Sequence, residues 1–222
     1  MNKYLRVCAT EKEIVERLDT FHPEIVTYGK KGSGADYLLT FYNLTEASAE
    51  SLDYTFRDVS YGDGTRSLAE ELVALLNEKN LTIATAESLT GGSVGSKIVD
   101  VAGCSSVYYG GVIAYSNELK ISALGVAEET IADFGAVSEQ TAIEMATGLL
   151  NENVNLGIST TGIAGPTGGS LLKPVGLVYI AVTDEENTDM FQLQFAGNRE
   201  EIRNQARDKA LFYAIKHLQL YY

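Results

Sequence analysis

The sequence predicts an α/β protein. It should hold a three-layer α/β/α domain around a mostly parallel mixed sheet, with a small α+β unit in front. Three observations predict this. From Leu81 onward, short apolar runs alternate with stretches of helical periodicity. Two of those runs end in loops of hydroxyls and glycines, Glu87–Gly92 and Thr160–Pro166, as strands do before a crossover in a parallel sheet. Late in the chain the acidic turn Asp184–Asn187 joins two apolar runs too closely for a helix to lie between them, so a hairpin adds an antiparallel edge.

Residues 1–64 read as the small unit. Tyr4–Val7 is a short strand, and Thr10-Glu11-Lys12-Glu13 is a capping-box pattern opening a helix to about Leu18. Glu24–Tyr28 is strand-like, Lys30–Gly34 a solvated turn, and Tyr37–Phe41 a strand. Glu46–Val59 is a helix with Thr45 as its cap. The order is β-α-β-β-α. A unit this small is marginal alone, so it is expected to lean on its neighbour or on a partner chain.

Residues 65–222 read as the larger domain, beyond a break at Tyr61-Gly62-Asp63-Gly64. The helix Ser67–Asn80 carries a leucine stripe at Leu68, Leu72, Leu75 and Leu76. Then follow strand Leu81–Ala86, helix Gly92–Val99, strand Val107–Tyr115 and the short helices Asn117–Leu124 and Glu128–Phe134. Ser138 caps a helix through Leu150, Leu156–Thr161 is a strand, and Val175–Val182 with Met190–Phe195 forms the hairpin. Asn198-Arg199-Glu200-Glu201 caps a final helix.

Composition removes several functions. A net charge of −13 argues against nucleic acid or an acidic membrane surface as partner. No apolar run reaches the roughly 18 residues of a membrane span, and the N-terminus is not signal-like. The two cysteines, Cys8 and Cys104, form no CxxC pair, which suits a reducing cytoplasm. The only two histidines, His22 and His217, lie outside the glycine-rich loops. No His/Cys cluster has metal-ligand spacing, so no metal is expected. A Ser-His-Asp triad is disfavoured too. A hydrolase here would take lysine, tyrosine or a carboxylate as its base.

Four groups of residues can carry chemistry. In Glu87–Gly92, Gly91 allows close backbone approach, the start of the following helix favours an anion, and Ser88 and Thr90 add hydroxyls. The plainer reading is a capped strand-to-helix turn. Thr161, Gly162 and Gly165 repeat the design at another strand end. With no Gly-Lys-Ser/Thr and no G-x-G-x-x-G, a mononucleotide fits better than a triphosphate or dinucleotide. Third, Tyr115 and Lys120 can point back at the loop carrying Ser105, where a desolvated lysine would deprotonate a serine. Spacing alone favours the plainer reading of a surface lysine, an edge tyrosine and a turn serine, and Cys104 is a rival nucleophile though more commonly a small buried thiol. Arg199 and Arg203 at the start of the last helix offer a phosphate clamp, or are solvated helix arginines.

Several motifs in series carry a family resemblance. They are Thr85–Gly92, Ala102–Ser105, Gly111–Lys120, Gly135–Glu139, Thr161–Pro166 and Lys173–Gly176. Together they resemble the C-terminal domain of the CinA (competence/damage-inducible protein A) family, from about Thr65 onward. Residues 1–64 resemble the family's small KH-like linker domain. The domain that precedes the linker in longer members has no counterpart in these 222 residues, so its metal-dependent pyrophosphatase activity is not carried over. The resemblance implies an amidohydrolase that converts nicotinamide mononucleotide (NMN) to nicotinate mononucleotide and ammonia, without cofactor, in cytoplasmic pyridine nucleotide salvage. It implies Ser105 as nucleophile with Tyr115 and Lys120 as its activators. Ser88, Thr90, Gly91, Thr161, Gly162, Gly165 and Arg199 would bind substrate. A homodimer or higher homo-oligomer is expected. The alternative is a catalytically silent nucleotide- or partner-binding module. Leu89, Thr167 and Asn198 depart from the family's usual cysteine, aspartate and aspartate, and none of these changes removes a proposed catalytic group.

Overall fold

The computed structural model describes residues 1–20, 28–62 and 64–222. The first unit runs β1 (Lys3–Cys8), α1 (Glu11–Thr20), β2 (Tyr28–Ser33), β3 (Asp36–Phe41) and α2 (Glu46–Phe56). Its antiparallel sheet has the order β1-β3-β2. The strand expected over Glu24–Tyr28 falls mostly outside the described residues. The expected turn is displaced: Tyr28–Ser33 is strand, and the chain reverses at Gly34–Ala35. Glycine and lysine in Lys30–Ser33 read as turn residues, but pairing with β3 overrides that local preference. Thr10 and Glu13 form the reciprocal cap of α1, and Thr45 accepts from the Ser48 N–H to start α2.

The second unit runs α3 (Leu68–Lys79), β4 (Ile83–Glu87), α4 (Ser93–Val99), a 3₁₀ turn (Cys104–Ser106), β5 (Tyr108–Ile113), α5 (Asn117–Leu124), α6 (Glu128–Phe134) and α7 (Glu139–Thr147). It continues with β6 (Leu156–Gly162), β7 (Leu177–Thr183), β8 (Thr188–Gln194) and α8 (Arg199–Tyr221). The sheet order is β5-β4-β6-β7-β8. β4 pairs in parallel with β5 and β6, while β6–β7 and β7–β8 pair antiparallel, so the sheet is mixed and only β7 opposes the others.

Alternation along the strands sorts the two faces. Ile83, Ile158, Ile180 and Val182 face α3, α4 and α8. Ala84, Ala86 and Ala181 face α5 and α7, whose Leu124, Met145 and Ala146 are buried against them. The small residues on that second face let α7 approach closely. Ser159 donates to the Ala142 carbonyl, and a Cβ at Gly157 would meet the Ala146 carbonyl.

The small unit leans on its neighbour, through α8. Asp208 accepts from the Ala35 N–H at 2.9 Å, Lys209 donates to the Cys8 carbonyl at 2.8 Å, and Lys216 donates to the Ser60 carbonyl at 2.9 Å. Tyr61 packs edge-on against Phe212, and Cys8 and Ala35 join the larger core.

Candidate active site

The site lies where β4, β5 and β6 end. Ser88 follows β4, and its N–H donates to the Thr160 carbonyl, so the loop starts as a continuation of the sheet. Thr90 and Thr160 share a 2.7 Å hydroxyl contact and are fully buried. The chain then turns through Gly91 and Gly92, both at positive φ, which glycine adopts without Cβ strain.

Three expectations for this loop are corrected. The first N–H groups of α4 are not free for an anion, because Glu87 occupies them. Its buried carboxylate accepts from Gly92, Val94 and Gly95 at 2.9, 3.0 and 2.8 Å. Thr90 is spent on Thr160 and is closed off from ligand. Arg203 does not reach for a phosphate: its guanidinium donates to the carbonyls of Leu89 and Thr90 at 2.9 and 2.8 Å, strapping the loop to α8.

Lys120 is the centre of the site. Ser116 accepts from the Leu119 N–H and starts α5, which puts Lys120 in the first turns, pointing back under the loop. It is only 1% exposed. Its ammonium donates to the Ala114 carbonyl at 2.7 Å and to the Ser88 hydroxyl at 3.2 Å. Burial pushes the amine below its usual pKa, and among the described residues no carboxylate forms an ion pair with it. A lysine held in this way against a serine is arranged as a base beside a nucleophile.

Ser88 and Lys120 line a cavity of about 220 Å³ together with Tyr115, Thr161, Gly162 and Arg199. Thr161 donates to the Ala136 carbonyl at 2.6 Å, which fixes its side chain on the wall. Gly162 is there for close packing, since a Cβ would meet the Leu177 carbonyl. Arg199 closes the mouth: it donates to the Gly165 carbonyl at 2.9 Å and to the Tyr115 hydroxyl at 3.4 Å. Gly165 precedes Pro166 through a cis peptide bond. Gly91 contributes its turn rather than a pocket wall.

Ser105 is not in this cavity. β5 runs parallel to β4, with Tyr108 beside Ile83 and Ile113 beside Glu87. Ser105 therefore precedes the strand at one edge of the sheet, and Tyr115 and Lys120 follow it at the other, about 20 Å apart at the rise of an extended chain. Within one chain, Tyr115 and Lys120 do not point back at Ser105. The neighbouring Ser106 bonds Asn77 at the end of α3, and Cys104 lies at the same far edge. The serine that meets Lys120 is Ser88.

Sequence reasoning also missed Glu87 as the anchor of α4. A lone acid at the end of an otherwise apolar strand, five residues before a Gly-Gly helix start, was the available signal. His217 is confirmed outside the site, held between Asp189 at 2.8 Å and Asp184 at 3.1 Å. His22 lies outside the described residues. Among the described residues no cluster of three or more His, Cys, Asp or Glu could hold a metal, and no helix is long and apolar enough to cross a membrane.

These features define a family by comparison. Residues 65–218 match the CinA C-terminal domain, and the chain belongs to the CinA family. It is 47% identical over 211 residues to a CinA-like protein of Kosmotoga olearia, covering 90% of this chain and 50% of that protein. It is 39% identical over 206 residues to a putative competence-damage inducible protein of Clostridium botulinum, with 89% and 50% covered. The chain thus spans about half the length of these curated relatives. Among solved structures it is similar to the competence/damage inducible protein CihA of Agrobacterium tumefaciens, with a TM-score of 0.66, 39% identity, and 68% and 93% of the two chains covered. A competence or damage-inducible protein from Enterobacter asburiae gives a TM-score of 0.65 at 31% identity, covering 68% and 96%.

Proposed function

We propose that this chain is an amidohydrolase of cytoplasmic pyridine nucleotide salvage, converting nicotinamide mononucleotide to nicotinate mononucleotide and ammonia. The observation that carries the reading is the contact between the buried Lys120 amine and the Ser88 hydroxyl in a cavity also lined by Tyr115, Thr161 and Arg199. Lys120 in its neutral form takes the proton from Ser88 Oγ, which attacks the carboxamide carbon. The C–N bond breaks, and the departing nitrogen takes the proton from the Lys120 ammonium as ammonia. Water, deprotonated by the same amine, then releases the acid from the acyl-serine. Arg199 at the mouth supplies the positive charge for the mononucleotide phosphate, and Tyr115 beside it supplies a hydroxyl to the reacting end. In this reading Ser88 takes the nucleophile's role assigned to Ser105 by resemblance.

The test is ammonia release from the mononucleotide, in chelator, by the wild-type chain and by Ser88→Ala and Lys120→Arg. Release that both variants lose supports the reading. Release that survives in Ser88→Ala removes the dyad. A folded chain that binds the nucleotide without releasing ammonia replaces the enzyme with a nucleotide-binding module.

A further inference from the structure

A backbone N–H buried without an acceptor is rare in a folded protein, because it has given up water and gained nothing. Among the described residues, the wall of the Ser88–Lys120 cavity holds two. Four of the residues that line it are buried: Leu89, Lys120, Thr161 and Ala164. Lys120 spends its N–H on the Ser116 carbonyl, and Thr161 lies within β6. The Leu89 and Ala164 N–H groups donate to no described residue. Leu89 is 4% exposed and Ala164 5%. Each stands just past the end of a strand, β4 and β6, which lie side by side in the sheet.

Both groups are fixed in direction. In a planar trans peptide the N–H points away from the carbonyl it is joined to. The Ser88 carbonyl accepts from the Gly91 N–H at 3.2 Å inside the turn, so the Leu89 N–H is turned out of it. The Ile163 carbonyl accepts from the Gly176 N–H at 2.8 Å, on the β7 side of β6. The Ala164 N–H is therefore turned to the β4 side, where Ser88 and Leu89 stand. Arg203 holds the first loop from behind. Its guanidinium takes the Leu89 and Thr90 carbonyls at 2.9 and 2.8 Å, yet Arg203 does not line the cavity. The start of α4 cannot supply these donors, since Glu87 takes the N–H groups of Gly92, Val94 and Gly95.

We propose that the Leu89 and Ala164 N–H groups are the oxyanion hole of this site, and that Arg203 is the positioning residue that keeps the first of them aimed. The amide carbonyl of the substrate lies with its oxygen between the two loops and its carbon over Ser88. As Ser88 Oγ bonds that carbon, its proton passes to the Lys120 amine and the C=O π pair moves onto oxygen. The two N–H groups receive the oxyanion. The pair returns as the C–N bond breaks, and the nitrogen leaves as ammonia with the proton from Lys120. Donors without an acceptor in the resting chain gain most when charge appears beside them, because no other bond has to break first. The hole rests on the amidase reading of Ser88 and adds to it the groups that hold the reacting oxygen.

Exchange of a backbone amide for an ester removes the N–H and keeps the side chain. Leucic acid in place of Leu89, or lactic acid in place of Ala164, introduced into the full chain by stop-codon suppression, should each lower kcat for ammonia release by about 10²-fold or more with KM little changed. Affinity for the aldehyde analogue of nicotinamide mononucleotide, which forms a hemiacetal oxyanion on Ser88, should fall in step with kcat, while affinity for nicotinate mononucleotide holds. The melting temperature should move little, because neither N–H has an acceptor to lose. Arg203→Lys keeps the charge but not the fork, so its kcat and aldehyde affinity should fall together by about 10-fold at unchanged KM. Ester chains that turn over within about threefold of wild type overturn the hole and leave the amidase reading standing. A loss of nicotinate mononucleotide affinity as large as the loss of kcat also overturns it, and Arg203→Lys that raises KM alone overturns the positioning role. An alkyl fluorophosphonate tests the hole without nucleotide: Ser88 displaces fluoride, its proton going to Lys120, and the phosphoryl oxygen takes the oxyanion's place, read by mass spectrometry. A wild-type chain that releases no ammonia but labels at Ser88, and ceases to label in the ester chains, keeps the hole and removes the amidase reading. Neither release nor labelling removes both.

Discussion

Lys120 on α5 and His217 on α8 are both buried nitrogen bases, and they are treated in opposite ways. His217, fully buried, has a carboxylate oxygen beside each ring nitrogen, from Asp189 and Asp184. Tyr221 and Tyr222 add hydroxyls to the same two carboxylates. Burial alone would raise the Asp184 pKa. The Asn187 and Glu186 N–H groups, then His217 and Tyr222, outweigh it and hold the carboxyl down at about 2. Lys120 is given a carbonyl and a serine hydroxyl and, among the described residues, no counter-charge. The first arrangement holds the Asp184 carboxylate ionised and ties α8 to the hairpin. The second destabilises charge and leaves a base ready to take a proton. Burial alone does not mark a functional residue; burial without a compensating partner does.

The largest expected effect separates the two sites by activity. Ser88→Ala should lower kcat/KM for ammonia release by about 10³-fold or more, as loss of a nucleophile does, with the melting temperature little changed. His217→Ala should do the reverse. Removing one partner of a buried charged cluster costs about 3 kcal/mol, read by denaturant unfolding, while turnover per folded molecule stays near wild type. If His217→Ala abolished turnover at unchanged stability, the contrast would fail.

Next comes acid. A carboxyl depressed to about 2 contributes stability above its unfolded value and loses it as the pH falls toward 2. Asp184→Asn should therefore cost about 2 kcal/mol at pH 7, and the gap from wild type should close between about pH 4 and 2 in pH-dependent unfolding. Lys120 gives the same sign of slope, but as a cost of burying the charged amine rather than a gain. Its folded pKa is lowered, so the unfolded chain holds the proton longer and stability rises with pH between the two values. Lys120→Met should raise stability by about 1 kcal/mol while eliminating turnover. In the wild type, kcat/KM should climb with pH to a plateau below the usual lysine range of about 10.4. The smallest effect is Thr90→Val, about 1 kcal/mol for a lost buried hydroxyl pair.

The alternation of strands and helices was legible because each element carries its own signal: the leucine stripe of α3, Ser116 and Ser138 before their helices, the acidic turn between β7 and β8. The residues of the cavity were legible as motifs, since glycine and hydroxyl loops at strand ends gather at one edge of a sheet. What was not legible is what depends on direction and on neighbours far along the chain. That Ser105 stands at the wrong edge follows from the parallel pairing of β5 with β4, which no local pattern encodes. That Arg203 and Glu87 are consumed in holding the loop follows from where α8 and α4 come to rest. Lys30–Ser33 read as a turn because pairing with β3 is invisible from within those four residues.

α8 touches the cavity through Arg199, the small unit through Asp208, Lys209 and Lys216, and the hairpin through His217. It is also synthesised after every strand it covers. While the ribosome is still making the sheet, Ile83, Ile158 and Ile180 have no helix to bury them on that face, and the Leu89–Thr90 loop has no strap. That face of the sheet and the loop therefore stay uncovered in the nascent chain until the 23 residues of α8 emerge.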